Sequence, residues 1–213
     1  MAALAAGALG AGIVFAASQA FDGETLPPTT TIVSTRSVIE PTALLDAWER
    51  SRVGPYAIDG IIERTRSGQI ERSSVHHART ADRAIEQMGR TALVTDPSGQ
   101  RSCEILESGE VGCAAPTPAP TPAQERAVLA AVVGPGGTHD VYPGQEAGCF
   151  QLIARTAVTG SLYGLSTVIC FDETTGATTG YTTIQGPESA TSFRATSLTS
   201  EVTDLDLEPR LRS

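Results

Sequence analysis

The 213-residue chain contains no lysine: all fifteen basic side chains are arginine, set against twenty-four carboxylates. The formal charge of −9 and a pI near 4.8 exclude a nucleic-acid partner, because neutralising phosphates needs a basic face. Aromatic residues are scarce, at 5%, with a single tryptophan, whereas a large acyl cavity ordinarily asks for a richer apolar lining. There is no CxxC and no HExxH, so no metal is expected. There is also no GxSxG, no phosphate loop and no GxGxxG, so no cofactor is expected. Asp59 and Glu63 share a strand face but stand ~13 Å apart by strand rise, too far for a coupled acid and base. His76 and His77 are adjacent, so on a strand they point to opposite faces and cannot serve one metal together. The acidic residues Glu201, Asp204, Asp206 and Glu208 lack the glycine-turn loop of a calcium site. The residues support no catalysis.

What is present begins with Ala2 to Phe21, an uncharged run of Ala, Gly, Leu, Ile and Val. At ~1.5 Å per helical residue it just reaches across ~30 Å of hydrocarbon. Ser18-Gln19-Ala20 also has the small-x-small form of a signal-peptidase site. No cysteine follows closely, which excludes a lipid-anchored terminus. Residues 1–21 are therefore expected to be a transmembrane anchor, in preference to a cleaved signal, with the domain outside the membrane. Residues 22–37, with Pro27-Pro28 and Thr29-Thr30-Thr31, read as an extended spacer. Residues 38–213 then form a single extracytoplasmic domain. Outside the cytoplasm, Cys103, Cys113, Cys149 and Cys170 read as two disulfides. Of the three connectivities, 103–113 across a short loop and 149–170 across neighbouring strands are favoured.

Within the domain, Glu40-Pro41 opens a short helix with Leu44, Leu45 and Trp48 on one face. Candidate strands follow at Tyr56–Arg66, Gln69–Arg79, Arg83–Thr95 and Arg101–Glu107. Ala114 to Pro122 (AAPTPAPTP) is a stiff, proline-rich internal linker. A helix is expected over Ala123–Val133, with Val128, Leu129 and Val132 as its apolar stripe and Gly134 to Gly137 as its stop. Three antiparallel strands occupy Gly148 to Gln185, where Phe150, Leu152 and Ala154, then Thr167, Ile169 and Phe171, alternate with the other face. Gly176 supplies a turn that needs positive φ. Ser189–Thr199 adds a strand, and Glu201 to Glu208 reads as a closing edge segment. The order is a helix, four strands, a proline-rich break, a helix and four strands.

That order, with Gly54-Pro55-Tyr56-Ala57-Ile58-Asp59-Gly60 and the GCFxL…YG…CFDxxTGA run, resembles the LolA/LolB-like lipoprotein-carrier superfamily. Its actinobacterial members include the LppX and LprG lipoproteins, and the layout is similar to a membrane-anchored actinobacterial branch. The resemblance implies an α+β fold: a curved antiparallel half-barrel with helices covering its concave face, enclosing an apolar cavity for acyl chains. No motif specific enough to transfer a ligand residue is present, and the lipobox cysteine is missing. Two functions are open. The first is binding of a lipid or other apolar ligand without catalysis, with Trp48, Ile62, Phe150, Leu152, Ile169 and Phe171 as candidate cavity lining. The alternative is a structural or protein-interaction module at the cell envelope, the same sheet filled by its own side chains.

Overall fold

A computed structural model describes residues 37–156 and 161–211. The expected anchor over residues 1–21 and all but the last residue of the expected spacer lie outside the described residues. No helix among the described residues is long and apolar enough to cross a membrane.

Helix α1 (Thr42–Arg50) starts behind Pro41, whose fixed φ suits a helix start, and buries Leu44, Leu45, Ala47 and Trp48. Its end is tied by Ser51 Oγ, which donates to the Trp48 carbonyl at 2.6 Å. Helix α2 (Pro122–Val133) begins with a capping box. The Gln124 N–H donates to Thr121 Oγ1, the Thr121 N–H donates to Gln124 Oε1, and Pro122 occupies the first turn. The expected stripe is shifted: Leu129 and Val133 are buried, whereas Val128 is exposed. Val132 is partly buried and packs against the core.

The strands are β1 (Tyr56–Arg66), β2 (Gln69–Arg79), β3 (Ala84–Met88), β4 (Thr91–Asp96), β5 (Gly99–Ile105) and β6 (Val111–Cys113). After α2 come β7 (His139–Pro143), β8 (Cys149–Ala154), β9 (Ser166–Phe171), β10 (Thr178–Gly186) and β11 (Ser189–Thr199). All eleven form one antiparallel sheet in the order β6-β5-β4-β3-β2-β1-β11-β10-β9-β8-β7. The first meander steps outward from β1, the second steps inward from β7, and they meet where β1 pairs with β11. Both are eleven-residue strands, in register from Ala57↔Thr199 to Arg66↔Ser189 with a bulge at Asp59/Gly60.

The sheet is open and curved, as expected, but the element order differs. The expected strand over Arg83–Thr95 is a hairpin, β3 and β4, reversing at Gly89, whose φ is 56°. Two short strands, β6 and β7, were not expected. The expected edge segment at Glu201–Glu208 is no strand. Asp204–Leu207 forms a 3-10 turn, with the Asp206 carboxylate accepting from the Thr203 N–H at 2.9 Å and its hydroxyl at 2.7 Å. The two favoured disulfides are present: Cys103–Cys113 joins the paired residues of β5 and β6, and Cys149–Cys170 those of β8 and β9.

Strand alternation divides the core between two faces. On the helix face, α1 and α2 pack with Val141, Leu152, Tyr163, Ile169 and Phe171 over β7 to β9. At the sheet centre the same face carries Tyr56, Ile58, Ile62, Val75 and Phe193. The Phe193 ring covers Gly60, where a Cβ would fall 2.4 Å from the ring and 2.6 Å from the Arg194 carbonyl oxygen. A glycine in this strand lets an aromatic ring pack directly on the backbone. On the outer face Ala57, Ala78, Ile85, Ala92, Val94 and Cys103 are covered by Leu207 and Val202 of the C-terminal segment.

Candidate functional site

The helix face brings the candidate lining residues together. Trp48, Leu152, Ile169 and Phe171 belong to the cluster beneath α1 and α2, and Phe150 packs against it from a partly buried position. Phe150 and Phe171 meet edge to face, with ring centroids 6.2 Å apart. Ile62 sits in the adjoining cluster at the sheet centre. Leu152 is fully enclosed, and Trp48, Ile169, Phe171 and Ile62 are at most 5% exposed. Each such buried side chain stabilises the fold by about 2 kcal/mol through burial.

Sequence reasoning missed the polar cluster at the rim of this core. Arg52, just beyond α1, is 8% exposed and its guanidinium lies 4.4 Å from the centre of the Trp48 ring. Its Nε is 2.9 Å from Glu125 Oε2, and its Nη1 is 3.8 Å from Glu86 Oε1. The Nε contact is ionic rather than a well-aligned hydrogen bond. Arg79 approaches Glu86 to 3.9 Å and donates to the Arg52 carbonyl at 3.1 Å. One helix end, one helix start and two strands thus hold two guanidiniums against two carboxylates. The signal was faint: an arginine after a helix and a glutamate in a first turn look alike whether buried or solvated. Burial pushes the Glu86 carboxyl up, but attraction to His77 once that ring is protonated at low pH, and to the Arg52 and Arg79 guanidiniums, outweighs it and holds it below the usual range.

His77 faces the same cluster, as Glu86 is its cross-strand partner. Its ring stacks on Phe193, centroids 5.7 Å apart. Burial lowers its pKa to about 4, against the opposing pull of Glu86; it is neutral at pH 7. Two enclosed polar atoms here, Trp48 Nε1 and His77 Nε2, have no hydrogen-bond partner among the described residues. His76 points the other way, as alternation requires, with Nδ1 2.7 Å from Asp59 Oδ1. The two histidines act on opposite faces. Among the described residues no group of three or more His, Cys, Asp or Glu is arranged to hold a metal.

The outer face of β1, β11, β10 and β9 is open. A trough of about 570 Å³ runs across it, lined by Ile61, Glu63, Val168, Gly180, Thr182 and Arg194. Gly180 opens its floor, because it contributes no side chain at an outward-facing position of β10. Ile184 and Ile70, on the same face by register, are 43% and 59% exposed. Exposed isoleucines, hydroxyls, two carboxylates (Glu63 and Glu146) and Arg194 give this face the mixed character of a contact surface.

No family model matches this chain, and no curated protein matches it. Solved structures do resemble it. A LolA superfamily protein from Nitrosomonas europaea aligns with a TM-score of 0.34 and 7% identity, over 80% of this chain and 98% of that one. The MucA/MucB complex of Pseudomonas aeruginosa gives 0.41 and 13% over 78% of this chain, which spans 59% of the matched chain. An outer membrane lipoprotein-sorting protein domain from Vibrio parahaemolyticus gives 0.33 and 9%, over 78% and 95%. These likenesses, at TM-scores of 0.33 to 0.41 and at most 13% identity, assign no family to this chain.

Proposed function

We propose that this chain is a non-catalytic interaction module of the cell envelope, held at the membrane through residues 1–21 and docking a protein partner on the outer trough. The observation that carries this reading is the contrast between the two faces. Beneath the helices, Trp48, Leu152, Ile169 and Phe171 are buried in one apolar cluster of the chain's own side chains, whereas the outer face bears a trough of about 570 Å³. Two disulfides support a position outside the reducing cytoplasm.

A second reading, binding of a lipid or other apolar ligand on the helix face, is favoured by Trp48 Nε1 and His77 Nε2. These enclosed polar atoms have no hydrogen-bond partner among the described residues, and the His77 ring lies stacked on Phe193. A photoreactive residue at Thr182, installed in the native host, separates the two. The interaction reading expects one defined cross-linked protein, lost when Gly180→Val fills the trough floor while both disulfides stay formed. Native mass spectrometry showing bound lipid mass, with no cross-link sensitive to Gly180→Val, would reverse the order of the two readings.

A further inference from the structure

The C-terminal segment, residues 202–210, lies along the outer face of the first meander, away from the trough. Its hold there is that of a peptide in a groove. His76 and Gln87 are buried, at 3% and 2% exposure, and both contact the main chain of this segment. His76 Nε2 is 2.9 Å from the Asp206 carbonyl oxygen. The Gln87 amide grips Arg210 at two points: Nε2 donates to its carbonyl at 2.7 Å, and Oε1 accepts from its N–H at 3.3 Å. Both recognising side chains are aligned from within the sheet, His76 by Asp59 and Gln87 by the Gly89 carbonyl. Main-chain contacts of this kind hold a segment without reading its sequence, leaving specificity to side-chain pockets.

One such pocket is filled. Leu207 inserts among Ala57, Ala78, Ala92 and Ile85, where three alanines leave the depth for a branched side chain. At the rim, Arg83 Nη1 takes Asp204 Oδ1 at 2.8 Å. By contrast Leu205 points out, 57% exposed. The segment contributes one buried apolar anchor with Val202 packed beside the same cluster, one carboxylate and backbone; its only regular structure is a four-residue 3-10 turn.

We infer that His76, Gln87, Arg83 and the alanine-floored pocket form a peptide-binding groove that residues 202–210 fill in cis. The ligand class it takes in trans is an acidic peptide with a leucine anchor, supplied by a partner protein once the strap lifts. This site is separate from the trough: trans binding succeeds or fails whether or not position 182 cross-links anything. A tether of this kind competes at an effective concentration on the order of millimolar, so the resting chain is masked.

The test is fluorescence anisotropy with a labelled peptide, EVTDLDLEPRL, titrated onto the full chain. Leu207→Ala loosens the strap and is expected to bind the peptide at least tenfold more tightly than the unaltered chain. Adding Gln87→Leu should abolish at least tenfold of that gain, and a peptide with alanine in place of its anchor leucine should not bind. Equal affinity of the unaltered and Leu207→Ala chains, with both disulfides formed and native circular dichroism, overturns the inference. So does equal binding of the anchorless peptide. If Leu207→Ala does not fold, the full chain carrying a protease site after Ser200 is cut in its folded state. Uptake of labelled peptide in exchange for the released strap then supports the groove, and no exchange overturns it.

Discussion

Replacing His77 by phenylalanine should remove about 2 kcal/mol of the acid sensitivity of this fold between pH 7.5 and 4.5. The ring is stacked on Phe193 and its Nε2 is enclosed without a partner among the described residues, so it folds as neutral imidazole. Burial, partly offset by Glu86 and reinforced by His76, Arg52 and Arg79, holds its pKa at about 4. The unfolded chain takes up a proton near pH 6.5, the folded chain only near 4. Stability from this residue is therefore complete above 6.5 and is lost as pH falls toward 4. The whole interval corresponds to up to about 3 kcal/mol, of which about 2 kcal/mol is expressed by pH 4.5. Phenylalanine keeps the stack and has no proton to gain. Urea unfolding at a series of pH values, run on both proteins with both disulfides intact, isolates the effect as a difference between two slopes. The expected result is that His77→Phe loses about 2 kcal/mol less than the unaltered chain on acidification, and is at least as stable at pH 4.5. Parallel pH profiles would refute the argument, because they would mean that the ring is solvated when folded.

Arg52→Met removes the guanidinium shared by Glu125 and Glu86, leaving Arg79 as the arginine beside Glu86, and removes the cation over Trp48. The expected loss is about 3 kcal/mol, or a melting point lower by about 10 °C, by calorimetry. Adding Glu125→Gln should recover part of it, and an unchanged melting point for the single variant would contradict the buried-pair reading. Cys149→Ala with Cys170→Ala opens a cross-link spanning 21 residues. Denaturant titration should show a loss of about 3 kcal/mol on the chain-entropy estimate, and a midpoint within error of the disulfide form would show that the strands hold register unaided.

Strand boundaries were legible wherever a turn residue marked them. Gly68 separates β1 from β2 with φ 79°, and Gly176 turns β9 into β10 with φ 75°, as expected of its position. Gly89 was missed because no Pro, Asn or Asp accompanies it, and Ala84, Ile85 and Met88 also fit a helical period. Strand β7 hides for a different reason: His139, a polar residue in sequence, is fully buried, with Nε2 3.0 Å from the Gly164 carbonyl oxygen. For the C-terminal segment, Val202, Leu205 and Leu207 suggested alternation, but the 3-10 turn sends Leu207 inward and Leu205 outward. In the core under α1, Leu44, Leu45, Trp48, Leu129, Leu152, Ile169 and Phe171 could be read from apolar periodicity, whereas Val133, Val141 and Tyr163 could not. The ion cluster could not, because Arg52, Glu86 and Glu125 meet only after two helices and two strands are assembled.

The pairing of β1 with β11 has a consequence for how the molecule comes to be. Ala57 and Thr199, partners in that ladder, are about 140 residues apart along the polypeptide, so closing the central ladder carries a large loop-closure penalty and folding through it is slow. Until then each meander presents an unmated eleven-residue border, the natural template for joining the wrong chain. A protein built this way gains from whatever keeps its copies apart until that junction zips.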